Sequence, residues 1–143
     1  MLVSITIYPT QDQFKALLRT ELKGPVCMVN LLKFKKQAEY EDGRFTDLTG
    51  LEAYGLCGEQ MRRFVESRGG EFLYLGSCLH LIIGSVDVLW DKIAIVENSS
   101  KEEFVAIATS PEVEDFGIHH SAGLRGQLLI ASSQGLGMGQ LPV

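Results

Sequence analysis

Cysteine is scarce and scattered in this 143-residue chain: Cys27, Cys57 and Cys78 are odd in number and form no Cys-x-x-Cys pair. That pattern argues against a disulfide framework and against a cysteine-built zinc site. Long apolar runs are missing too. The longest, Leu79 to Gly84, is strand-sized, far short of the ~20 residues that span a bilayer. The N-terminus has no positive cluster before its apolar residues and no small-residue cleavage site, so no signal peptide is expected and a cytoplasmic location follows. A basic excess is also lacking. The formal net charge is −5, which disfavours nucleic acid as a partner. The one basic clump, Lys33 to Lys36, is followed by Glu39, Glu41 and Asp42 and is expected to be a solvated, self-neutralising loop. No internal repeat is visible. Gly135-Leu-Gly-Met-Gly139 follows the last expected strand and opens no helix, so it is no dinucleotide fingerprint. No cofactor is expected.

What remains is an ordinary globular composition, 45% hydrophobic and 22% charged, in a length that suits one domain. Leu2 to Tyr8 alternates like a half-buried strand. Thr10 and Gln13 have capping-box spacing ahead of Phe14, Leu17 and Leu18, and this first helix should end near Gly24-Pro25. Val26 to Phe34 is nearly continuously apolar, broken by Asn30 and Lys33, and reads as a strand covered on both faces. A charged, turn-rich loop should occupy residues 35–50. Leu51, Tyr54, Gly58, Met61 and Val65 recur at helical intervals, so an amphipathic helix is expected over 51–68, ended by Gly69-Gly70.

Phe72 to Ile83 reads as a long strand that Gly76 bulges, turning at Ser85 to Asp87 into a partner strand over 89–97. Ser99 and Ser100 precede Glu102 and Glu103 by three residues, predicting a helix over 101–109. Ser110-Pro111 restarts a helix that Gly123 ends, and Leu124 to Ser132 is the final strand. The order from Val26 is β-α-β-β-α-β, an α+β, ferredoxin-like arrangement. One domain over 1–132 is expected, with 1–24 as a strand-helix extension and 133–143 as a mobile, glycine-rich tail. One sheet face should pack on helices while the other, still apolar, calls for a second copy of the chain as its cover.

The segments Pro25 to Phe34, Gly69-Gly70, Trp90-Asp91 and His119-His-Ser-Ala-Gly-Leu124 together resemble the family catalogued as domain of unknown function 1330, over roughly residues 2–132. That family is similar to the dimeric α+β barrel superfamily, in which two ferredoxin-like sheets pack face to face. The superfamily includes cofactor-independent monooxygenases, haem-handling enzymes and small lactone isomerases; the family itself implies no established reaction. Two departures stand out. His120 occupies a position where such chains usually carry arginine, and Asn98-Ser99 replaces an aromatic-proline pair. The separation of Trp90 from His119 is too long to copy the haem-degrading site.

Several residues carry candidate chemistry. Asn30 interrupts an apolar strand and could orient or polarise a ligand oxygen, or simply satisfy backbone groups. Tyr54 lies on the apolar stripe of the long helix, where its phenol could reach a cleft or only pack. Trp90 could floor a pocket and Asp91 could cap a turn. His119 and His120 are the best titratable candidates near neutral pH. They lie about 100° apart on the helix, so one should point inward. His80 is expected in the core or an interface. Adjacent histidines cannot readily share one metal from a single helix face, and no metal site is expected.

Two functions fit. One is an enzyme acting on a small, partly apolar molecule in a pocket lined by Asn30, Tyr54, Trp90 and His119, with Asp91 and His120 as further binding residues. His119 would be the general acid or base and Asn30 its catalytic partner, in isomerisation or cofactor-free oxygenation. The other is a non-catalytic dimeric binding or assembly module.

Overall fold

The strand with the steepest burial is the one broken by Asn30. In a computed structural model that describes residues 3–135, β1 (Val26–Phe34) lies inside a four-stranded antiparallel sheet. Its neighbours are β3 (Lys92–Asn98) and β4 (Leu124–Ser132), while β2 (Glu71–Ser77) pairs outside β3, giving the order β2-β3-β1-β4. Four helices join them: α1 (Gln11–Arg19), α2 (Gly50–Ser67), α3 (Lys101–Ala108) and α4 (Pro111–Gly123). From β1 onward this is the ferredoxin-like β-α-β-β-α-β order, with an additional helix before the second crossover element.

Helix starts follow local chemistry closely. Thr10 and Thr49 each accept from the backbone N–H three residues on, and Gln13 and Glu52 bond back to them, so α1 and α2 both open on complete capping boxes. Ser100 and Ser110 cap α3 and α4, the latter with Pro111 at the first helical position. Helix α1 stops at Arg19, short of Gly24, because Thr20 turns extended.

Side-chain alternation assigns the two faces of β1, although Cys27, on the face away from Val26 and Met28, is buried as well. Val26, Met28 and Leu32 are buried under the helices, and Asn30 and Phe34 share that face by the two-residue period. The opposite face carries Val29 and Leu31, paired with Ile95 and Ile93 on β3 and with Ile130 and Leu128 on β4. Nothing in the chain covers it fully, and Ile130 remains 50% exposed. The expected two-sided burial of β1 is therefore met on one face within a single copy.

Two expected strands change. Leu2 to Tyr8 is not a strand over the described residues, where one antiparallel bridge joins Thr6 to Gln127. Alternation reports a preference for the extended state, and a ladder also needs a matching edge. The long hairpin also shortens: β2 stops at Ser77 and β3 starts at Lys92. Between them residues 78–91 form a loop closed at its base by Cys78 N–H donating to Asp91 C=O at 2.9 Å. Leu79 and Ile83, 90% and 87% exposed, find no cover within the chain, so apolar character alone did not extend the ladder. The register irregularity lies between Phe72 and Tyr74 rather than at Gly76. Of the expected tail, residues 136–143 lie outside the described residues.

Candidate functional site

Asn30 is the start of a directed hydrogen-bond chain. Its Nδ2 donates to the carbonyls of Met28 and Ala94, both at 3.2 Å. Carbonyls only accept, so the amide orientation is set and Oδ1 must face the other way. There it accepts from Gln127 Nε2 at 2.8 Å. Gln127 consequently presents Oε1 to His120 Nε2, 3.0 Å away. An acceptor at that position requires Nε2 to carry the proton, which assigns the neutral His120 tautomer and leaves the lone pair on Nδ1.

Three elements and one strap build this arrangement. On α4, Phe116, His120 and Gly123 fall on one face and point inward, and the missing side chain of Gly123 lets α4 approach α2. A Cβ there would lie 2.8 Å from Tyr54 N. Tyr54 on α2 packs its ring on Phe34, centroids 5.2 Å apart, and faces His120 at 6.0 Å. The N-terminal segment bonds to Gln127, whose N–H donates to Thr6 C=O at 2.8 Å, and places the Tyr8 ring 6.1 Å from His120. Burial lowers the His120 pKa below its usual value, opposed by its bond to Gln127. Burial raises the Tyr54 phenol and pushes the Cys57 thiol up to about 12. At neutral pH the site therefore favours an uncharged imidazole beside protonated Tyr54 and Cys57.

Of the expected residues, Asn30, Tyr54 and His120 come together. His119 does not join them: it is turned away on α4, its Nδ1 2.7 Å from the Tyr40 hydroxyl, with its ring edge-on to Tyr40. Arg44 lies over the same tyrosine ring at 4.8 Å. Partial burial, then the Arg44 charge, lowers the His119 pKa, and Asp115 opposes them. Asp91 is committed elsewhere, its Oδ1 accepting from Lys33 Nζ at 3.0 Å and its Oδ2 from Phe34 N–H at 2.9 Å. Trp90 is half-buried at the end of the 78–91 loop, and none of the rings around His120 packs on it. His80 is exposed in that loop. A cavity of about 500 Å³ opens at the end of the sheet, and Asp91 and Phe34 line it while Asn30, Tyr54, Trp90 and His119 do not.

Gln127, Tyr8 and Tyr40 are not among the candidates that the sequence offers. Gln127 had a usable signal: like Asn30, it is an amide that interrupts an apolar strand. Tyr8 and Tyr40 had none, since their contacts come from distant chain segments. Among the described residues no group of three or more His, Cys, Asp or Glu side chains converges as a metal site, and no helix is long and apolar enough to cross a membrane.

No protein-family profile matches the chain, and no curated protein does. Solved structures do. The crystal structure of methylated RPA0582 protein shares 30% identity, covers 96% of this chain and 100% of its own, and superposes with a TM-score of 0.84. A second structure of RPA0582, described as a protein of unknown function from Rhodopseudomonas palustris, shares 29% identity over 90% and 96% of the two chains, with a TM-score of 0.81. A dabb family protein with a ferredoxin-like fold from Mesorhizobium loti shares 12% identity over 78% and 98%, at a TM-score of 0.49, too loose a likeness to carry an argument.

Proposed function

Because the chain belongs to the family of RPA0582, a protein of unknown function, its chemistry has to be read from its own groups, and we propose that it moves a proton on a small, partly apolar molecule held beside His120. The observation that carries this reading is the Asn30–Gln127–His120 chain, which holds one imidazole tautomer and leaves the basic lone pair on Nδ1. His120 Nδ1 is the base. Asn30 is a positioning residue that acts through Gln127. Tyr54 and Tyr8 pack around the imidazole, with ring centroids 6.0 and 6.1 Å from it, and make its surroundings apolar. Taking a proton and returning it to another carbon is isomerisation; the same carbanion met by oxygen gives cofactor-free oxygenation. Neither reaction calls for a metal or a bound cofactor.

The test is deuterium exchange into a panel of enolisable ketones and unsaturated lactones, followed by proton NMR. Wild-type protein should catalyse exchange in at least one compound, and His120→Asn should abolish it while His119→Asn retains it. Exchange that is absent throughout, or undiminished in His120→Asn, overturns the reading.

A second reading, a dimeric binding or assembly module, is favoured by the apolar face of Val29, Leu31, Ile93, Ile95, Leu128 and Ile130 and by the exposed loop 78–91. In either case we assign the chain to the family of domain of unknown function 1330, a single domain over 1–132 whose second copy covers that face in a dimeric α+β barrel. Free cysteines suit a reducing cytoplasm, and the negative net charge suits neither nucleic acid nor an anionic membrane as partner. Native mass spectrometry should report two chains per particle, and Ile95→Glu should leave one.

A further inference from the structure

At one end of the sheet β1 and β2 stop while β3, β4 and α2 begin, and there the cavity of about 500 Å³ opens. That volume suits a small organic molecule. Five cations line it, Lys33, Lys35, Lys36, Lys92 and Arg125, against a single carboxylate, Asp91. The protein as a whole carries a net charge of −5, so this concentration of positive charge runs against its composition.

The chain neutralises only part of that charge. Asp91 is used up: Lys33 holds one oxygen and the Phe34 N–H the other. The acidic residues that follow the basic clump do little for it. Glu39 reaches Lys35 only at 3.9 Å, and Asp42 is paired with Arg44. Lys92 donates to the Ser77 hydroxyl at 3.1 Å. Among the described residues Lys36, Lys92 and Arg125 have no carboxylate partner. Like charges gathered in a cleft repel one another, and low-dielectric walls focus their field onto whatever anion enters. The wall also includes the start of α2, where Thr49 and Leu51 line the cavity. There the positive end of an 18-residue helix adds to the field.

We propose that this cavity binds a small organic phosphate, its head among Lys36, Lys92 and Arg125 and its apolar body against Phe34 and Leu51. A phosphate monoester brings about −1.5 to −2 charges, which matches the unpartnered cations better than a single carboxylate does. Arginine adds the planar fork that such oxygens accept. The site is distinct from the His120 arrangement, although Phe34 contributes to both by packing on Tyr54.

Isothermal titration of the full-length protein with phenyl phosphate, at constant ionic strength, tests this. Binding should saturate at one equivalent per chain, more tightly than inorganic phosphate, and phenol should not bind there. Arg125→Gln and Lys92→Gln should each weaken phenyl phosphate by about tenfold. Their unliganded melting temperatures should be unchanged or higher, since like-charge crowding is relieved. Leu51→Ala should erase the preference for phenyl phosphate over inorganic phosphate. His120→Asn should bind phenyl phosphate like wild type, which separates this site from the proposed proton transfer. Unsaturable binding, or wild-type affinity in both charge variants, overturns the proposal.

Discussion

His120 Nε2 lies 3.0 Å from Gln127 Oε1, and the glutamine cannot turn over to offer its NH₂ instead without breaking its bond to Asn30. Two amides thereby decide which nitrogen of one imidazole is basic. Gln127→Leu should leave a histidine N–H and an asparagine carbonyl without partners at a cost of about 2 kcal/mol. Denaturant unfolding would read that loss, and nitrogen NMR would show both His120 tautomers populated. A tautomer unaltered in the variant would show that Gln127 does not govern it.

Stability should fall as the solution is acidified through the histidine range. Burial sets the folded His120 pKa below the ordinary value of 6.5, and His119 is shifted the same way. The folded state therefore binds fewer protons than the unfolded chain just below pH 6.5. Its stability is full above that pH, declines as pH drops toward the lowered folded pKa, and levels off beneath it. Asp42 and Glu52, held below their usual 3.8 and 4.5 mainly by bonds to Arg44 and to Thr49, act in a lower window. Denaturation midpoints between pH 7.5 and 5 should show the slope, and His120→Asn should remove part of it. A flat profile in wild type would contradict this assignment.

Gly123 and Gly117 lie on one helix and should respond oppositely to alanine. At Gly123 a Cβ would meet backbone of α2, including Tyr54 N at 2.8 Å, and rigid backbone cannot step aside. Gly123→Ala should cost about 3 kcal/mol, the upper end of ordinary overpacking. At Gly117 nothing lies within 4 Å, so Gly117→Ala should stabilise the protein by roughly 0.5–1 kcal/mol through helix propensity. Thermal or chemical denaturation of the two variants distinguishes them by sign.

Lys101 is buried, yet its ammonium has a purpose: Nζ donates to the carbonyl of Leu18 at 2.9 Å and to that of Thr20, at the end of α1. Those acceptors are the unsatisfied carbonyls of a helix C-terminus, where a cation is favoured. Lys101→Met should free α1, raising amide hydrogen exchange across 11–19 well before the sheet is affected. Equal protection of α1 in wild type and variant would mean that other contacts hold the helix.

Legibility differed by the range of the interaction concerned. Thr10 with Gln13, and Ser110 with Pro111, state a helix start within four residues, and both helices begin there. The apolar runs of β1 and β4 likewise mark strands whose bounds the structure keeps. Leu79 and Ile83 illustrate the limit: they have strand character, but a ladder needs a facing partner, and their own chain supplies none. Of the two histidines, the helical period shows that they diverge, while the inward one is identified by the close approach of α4 to α2 at Gly123.

The sequence by itself thus determined the helices, the strands β1 and β4, the ferredoxin-like order and the candidacy of Asn30, Tyr54 and the histidine pair, because each depends on periodicity or on contacts a few residues apart. Only the tertiary structure decided that His120 rather than His119 is linked to Asn30, that Gln127 makes the link, and that Lys36, Lys92 and Arg125 share one cavity. Those are contacts between residues far apart in the chain, set by strand register and helix packing, and local pattern carries no record of either.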